Sequence, residues 1–208
     1  MKKILKQVSK LLVLDSVKSN EELIAKVKLG NKGAFEVLYE RYKNPIFGYI
    51  FSVCKDEFIA RELAQDTFLK VYKNSMQFEE GHKFTTWLWR IARNTTIDYL
   101  KKRDALRYTV DLRDDDGEVI SVEELDKELT TPEILLIEKS LKEDIENCLS
   151  KLGDNLRDVL LLRIKSELSY QEIAEVAKIS VAAVKSKINR AKGMMIKCIE
   201  LKERRSFE

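Results

Sequence analysis

The 208-residue chain has only two prolines and seven glycines, so little in it interrupts regular structure, and no stretch alternates apolar and polar residues long enough to argue for a sheet. A single histidine, His82, leaves no partner for histidine-based catalysis or a multi-histidine metal site. The three cysteines, Cys54, Cys148 and Cys198, are odd in number, far apart and in no paired spacing. That argues against a disulfide framework or a structural zinc site, and implies a reducing cytoplasm. Long hydrophobic runs are missing too. Near the start, Leu11-Leu12-Val13-Leu14 is short, Lys6 and Lys10 break its surroundings, and no small-residue cleavage site follows, so neither a signal peptide nor a membrane span is expected. Nor is there a glycine-rich phosphate loop, a carboxylate cluster beside a basic groove or a nucleophile with a base; no enzyme activity, cofactor or metal is expected.

What is present is globular and wet: 44% of residues are hydrophobic and 35% charged, and the length suits two small domains, each just able to bury a core. The net charge of +3 is too mild to name a partner, so its distribution matters more. After an N-terminal extension, 1–19, the apolar residues of 20–103 recur at helical spacing. Ser19 or Asn20 can cap a first helix ending near Gly30, and a second spans Ala34 to Phe51 with Pro45 as a kink candidate. A third spans Asp56 to Lys73. Thr85 or Thr86 can cap a fourth reaching about Lys102, after a loop from Asn74 to Lys83. From Asp111 to Glu133 acids dominate and aromatics vanish, which marks 104–132 as an acidic flexible linker with room for a transient helix at Val122 to Leu129. Pro132 suits the first position of a helix opening the second block, 133–208. The expected fold is all-α, two small helical domains on one flexible connection.

In the second block, Ser169-Tyr170-Gln171-Glu172 is a capping box that starts a helix carrying Ile173, Ala174 and Val176 inward. A brief break leads to Ser180, a second cap, and a helix from Val181 to Met195. Two short helices with so tight a joint form a helix-turn-helix, with Leu168, Ile173, Ile179, Val184 and Ile188 in the shared core. The second helix pins Val184, Ile188 and Ala191 inward and turns a basic side outward. Ser180, Ala182, Ala183, Lys185, Ser186, Lys187, Asn189 and Arg190 are the candidates for duplex DNA. By spacing alone, a solvated cationic face fits the same residues.

The first block carries a second face of nucleic-acid type. From Lys83 to Arg103 six cations stand against the lone Asp98, interleaved with Phe84, Trp87 and Trp89. Cations off the buried stripe can hold phosphates while rings stack on unpaired bases. Lys83, Trp87, Arg90, Arg93, Asn94 and Lys101 are the candidates, and the competing reading is that the rings are simply core. On the preceding helix Glu62, Gln65, Asp66, Leu69 and Lys70 share one mixed polar face, which taken alone reads as solvated surface.

The segments Glu62-Leu-Ala-Gln-Asp-Thr-Phe-Leu-Lys-Val-Tyr-Lys73, Trp87-Leu-Trp-Arg-Ile-Ala-Arg-Asn-Thr-Thr-Ile-Asp-Tyr-Leu-Lys101, Leu168-Ser-Tyr-Gln-Glu-Ile-Ala-Glu175 and Val181-Ala-Ala-Val-Lys-Ser-Lys-Ile-Asn-Arg-Ala-Lys192 together resemble the sigma-70 family of RNA polymerase sigma factors, extracytoplasmic function (ECF) group. The resemblance covers about Glu21 to Leu201 and implies a promoter-specificity factor. It implies that Glu62, Gln65, Asp66, Leu69 and Lys70 meet the beta-prime clamp helices of core RNA polymerase, with the beta flap as a further contact. The loop and basic helix would then take the minus-ten element of promoter DNA with one base extruded, and the helix-turn-helix the minus-thirty-five element as duplex. An anti-sigma factor is an implied partner. The linker is too short for the middle domain of housekeeping sigma factors; it is either a tether or an acidic strand standing in for RNA in a basic channel. Two departures stand out: Lys178 where glycine is common in the turn, and Ala183 where threonine is frequent. A stand-alone helix-turn-helix regulator accounts for the second block equally well but leaves the tryptophan and arginine helix unexplained.

Overall fold

Helices form wherever apolar residues return every third and fourth position. The computed structural model describes residues 19–109 and 132–206, and its regular structure there is entirely helical. The N-terminal extension up to residue 18, the acidic stretch 110–131 and the helix considered at Val122 to Leu129 lie outside the described residues.

In the first block, α1 (Asn20–Lys28) begins at Ser19, whose hydroxyl accepts the Glu22 N–H, and buries Leu23, Ile24 and Val27. Helix α2 (Lys32–Cys54) is capped by Asn31 and passes through Pro45 without ending there. It starts earlier than expected because the Asn31 side chain takes the Ala34 N–H at 3.0 Å. Asp56 caps α3 (Glu57–Lys73), and a 3-10 turn, Ser75–Gln77, opens the loop. Gly81 bends that loop at φ +87°, a conformation that strains any L side chain. Helix α4 (Phe84–Thr109) differs from expectation at both ends. Neither Thr85 nor Thr86 caps it: the helix opens earlier, with Trp87 N–H on the Lys83 carbonyl, and Glu21 of α1 accepts the Phe84 N–H at 3.0 Å. A carboxylate from another helix thus does what a local cap would do.

The second block holds α5 (Pro132–Ser150), α6 (Asp154–Lys165), α7 (Tyr170–Ala177) and α8 (Val181–Ser206). Pro132 stands at the first position of α5. The capping box of α7 is complete: Ser169 Oγ accepts from Glu172 N at 3.3 Å and Glu172 Oε2 accepts from Ser169 N at 2.8 Å. Leu168, Ile173, Val184 and Ile188 are buried, and Ile179 packs against them partly covered. Helix α8 runs well beyond Met195 because its second half has α5 to lean on.

The two blocks are packed against each other, α2 on α6 and α4 on α7. At their junction Tyr49 is 1% exposed, and its hydroxyl donates to Asp158 Oδ1 at 2.8 Å. Trp89 meets the Tyr49 ring edge-on at 5.6 Å. Burial and the neighbouring Asp158 carboxylate push the Tyr49 hydroxyl well above its usual range, so it stays a donor.

The cysteine expectation needs correcting. Cys148 of α5 and Cys198 of α8 are joined as a disulfide, with their Cα atoms 5.8 Å apart. Sequence spacing could not reveal it, because the pairing comes from two helices running antiparallel, as the neighbouring Asp144–Lys202 ion pair one turn away also shows. The inference of a reducing compartment, which rested on unpaired cysteines, loses that support. Cys54 remains a free thiol, buried, and its burial raises its pKa to about 11.

Lys178, the residue standing in the tight turn between α7 and α8, adopts φ 56° and ψ 45°. A side chain in this left-handed region costs about 1 kcal/mol, and glycine would relieve it. Lys178→Gly should therefore stabilise the second block by about 1 kcal/mol, read as a higher urea midpoint at unchanged slope. Closing a loop of 50 residues by the disulfide stabilises by about 4 kcal/mol. Cys198→Ser should lose that margin under oxidising conditions, with faster hydrogen exchange in α5 and α8, and match the parent chain in excess dithiothreitol.

Candidate nucleic-acid interface

The exposed face of α8 is set by burying its opposite side. Val184, Ile188 and Ala191 have no exposure, which fixes the rotation of the helix on α7. Ala182, Lys185, Ser186, Asn189 and Arg190 are then exposed, with Ala183 and Lys187 half-buried beside them. Ser180 is exposed but already employed: its hydroxyl oxygen accepts the Ala183 N–H at 3.1 Å, leaving its O–H proton as the group it can offer a phosphate. Lys185, Lys187 and Arg190 enter no ion pair among the described residues. An open helix N-terminus edged by cations suits the phosphates and base edges of a major groove.

The α4 face is arranged differently. Its rings divide between core and surface: Phe84 and Trp89 are buried, so for these two the core reading holds, whereas Trp87 is half-exposed and packs on Phe78 at 5.4 Å and Phe84 at 6.1 Å. Trp87 faces a cleft of about 510 Å³ that Phe78, His82, Thr86 and Arg90 also line. Thr86 Oγ1 and Arg90 Nε are buried there without a hydrogen-bond partner among the described residues. Asn94 and Lys101 are exposed further along the helix. Three of its candidate cations are engaged by carboxylates of the second block: Lys83 with Glu172 at 2.9 Å, Arg93 with Asp158 at 2.8 Å, and Arg90 with Glu175. Partial burial pushes the Glu172 carboxyl up, but hydrogen bonds from Ser169 and Lys83 outweigh this and hold it below the usual carboxylate range.

On α3, Glu62, Gln65, Asp66, Leu69 and Lys70 are all exposed on one side. Lys70 is tied inward, its Nζ donating to Thr95 Oγ1 of α4 at 2.9 Å. Leu69 is 49% exposed and borders an apolar groove of about 520 Å³ with Phe35, Tyr39, Phe68 and Tyr72. The groove could not be read from one helix, because α2 and α3 each supply half of it. The same holds for Tyr49, Asp158, Glu172 and Glu175 at the block junction, which the sequence offers only as ordinary helix residues.

Comparison with known proteins places both blocks. Residues 38–106 match the family model for sigma-70 region 2, and residues 142–195 match that for sigma-70 region 4. The chain is 30% identical over 181 residues to the RNA polymerase sigma-H factor of Pseudomonas aeruginosa, covering 87% of this chain and 94% of that one. It is 33% identical over 175 residues to the ECF RNA polymerase sigma factor SigW of Bacillus subtilis, covering 81% and 90%. Among solved structures it is similar to CnrH, in complex with the cytosolic domain of CnrY, at a TM-score of 0.64 and 23% identity over 88% of this chain and 99% of that one. It is also similar to the sigma factor RpoE of Bartonella quintana, in complex with the anti-sigma factor NepR, at a TM-score of 0.63 and 20% identity over 80% and 96%. At these identities the structures speak for the fold. A stand-alone helix-turn-helix regulator would not carry a region 2 ahead of its reader. Since both regions match in order and the relatives are covered almost end to end, the chain belongs to the sigma-70 family of RNA polymerase sigma factors, in its extracytoplasmic function group.

Proposed function

We propose that the chain directs core RNA polymerase through three separate faces, one for the enzyme and two for promoter DNA. The family consists of transcription initiation factors, not enzymes, so the chemistry lies in recognition. The observation that carries the assignment is the division of labour itself: an exposed mixed face on α3, a basic and aromatic face on α4, and an open basic reader on α8.

In this reading Glu62, Gln65, Asp66, Leu69 and Lys70 dock the beta-prime clamp helices, with Leu69 entering an apolar contact ringed by polar ones. Lys83, Arg90, Arg93, Asn94 and Lys101 hold the backbone of the minus-ten strand. Trp87, half-exposed over the cleft beside the 74–83 loop, stacks on an unpaired base. Ala182, Ala183, Lys185, Ser186, Lys187, Asn189 and Arg190, with Ser180 at the helix start, read the minus-thirty-five duplex, and the beta flap supports the second block. The working domains are the α1–α4 block, which ends at Thr109, and the α5–α8 block, which opens at Pro132, joined through the acidic stretch 110–131. An anti-sigma factor is the expected regulator, in keeping with the complex of the similar sigma factor RpoE with the anti-sigma factor NepR. The protein is expected to act in the cytoplasm; among the described residues no helix is long and apolar enough to cross a membrane.

Asp66→Ala combined with Leu69→Ala tests the polymerase face, since both side chains are exposed and their loss leaves the fold intact. Affinity for core polymerase should fall at least about tenfold, roughly 1.4 kcal/mol, and promoter-dependent transcription should fall with it. Binding to duplex DNA should not change. Unaltered affinity for core polymerase would remove α3 as the docking face.

A further inference from the structure

We infer that the free chain masks its own minus-ten face, its second block supplying carboxylates in the places where the strand's phosphates would lie. The inference rests on the reading of α4 as the minus-ten face. Lys83, Arg90 and Arg93 lie on or immediately before α4, and all three are paired across the block junction, with Glu172, Glu175 and Asp158. A carboxylate offers an arginine or lysine the same anionic oxygen acceptors that a phosphate does, so the two compete for one set of donors. The cleft beside Trp87 is closed over from the same side, its far wall being Ser169, Gln171, Glu172 and Glu175. Charge and stacking surface are therefore covered together.

The three pairs are unequal. Lys83 is 70% exposed and its contact is screened by solvent, and the Arg90–Glu175 pair is open to about the same degree as a surface bridge. Arg93 and Asp158 are only 17% and 15% exposed, and Asp158 also accepts from the Tyr49 hydroxyl. That shielded node holds the blocks together, and Glu175 extends the cover over Arg90. The α8 reader is left open in this arrangement: Lys185, Ser186, Asn189 and Arg190 remain exposed. Masking is thus selective. The free chain can meet duplex DNA through α8, while single-stranded DNA must wait until a partner that prefers the separated blocks shifts the equilibrium.

The test removes charge while keeping shape, with Asp158→Asn and Glu175→Gln in the full chain. Neither residue belongs to a face assigned to DNA or polymerase, and the amide oxygen that replaces the carboxylate can still accept from the Tyr49 hydroxyl. Small-angle X-ray scattering should show the parent chain compact and the double variant expanded at roughly physiological salt. Fluorescence anisotropy with a labelled mixed-sequence single strand of DNA should show at least about tenfold tighter binding by the variant. The gain should vanish when Arg90→Ala and Arg93→Ala are added. A parent chain already expanded, or a variant that expands without binding the strand more tightly, overturns the inference. Promoter-dependent transcription with core polymerase separates the two readings: if neither chain initiates, the sigma assignment of these faces fails, whereas equal initiation with equal strand binding sinks only the mask.

Discussion

A carboxylate taken out of water must find donors, and Asp158 finds both of its strong ones on the other block, the Tyr49 hydroxyl and the Arg93 guanidinium. Much else is arranged around that requirement. Tyr49 reaches Asp158 from the part of α2 beyond Pro45, and Arg93 reaches it from α4, which also packs on the second block. Trp89 closes the apolar side of the same node, which is why it is core while its neighbour two residues back is not. Removing one member of such a set leaves the others buried without partners, a larger loss than the pair's own contribution.

Most of the fold could be read locally. The capping box at Ser169 and Glu172, the cap at Ser19, Pro132 opening a helix and the inward stripe of Val184, Ile188 and Ala191 all follow from residue types within one or two turns of each other. The helix-turn-helix is legible for the same reason: its buried stripe and its exposed cations lie on one helix, and burying one exposes the other. The α3 face has no such local signature. By residue type it is an ordinary polar surface, and its apolar half belongs to Phe35 and Tyr39 on α2.

Three features escaped sequence reasoning because they join distant positions. The Tyr49–Asp158 bond spans 109 residues and the disulfide 50. The cap on α4 comes from Glu21, 63 residues upstream of Phe84, so the threonines nearby are not the groups that matter. The turn at Lys178 is the reverse case: a residue standing where glycine is common left either a strained backbone or a different path open, and the structure puts it at φ 56° in the left-handed region. Local patterns report what a helix needs, and only packing decides who supplies it.

Helix α8 has a consequence for handling the protein. Its 26 residues make a rod about 39 Å long, with the exposed cations at the first turns and the tie to α5 near the last. A fluorophore, affinity tag or surface tether joined beyond Ser206 therefore emerges roughly that distance from Ser180. A chain immobilised beyond Ser206 carries Ser180 and the exposed cations of the first turns at the far end of that rod.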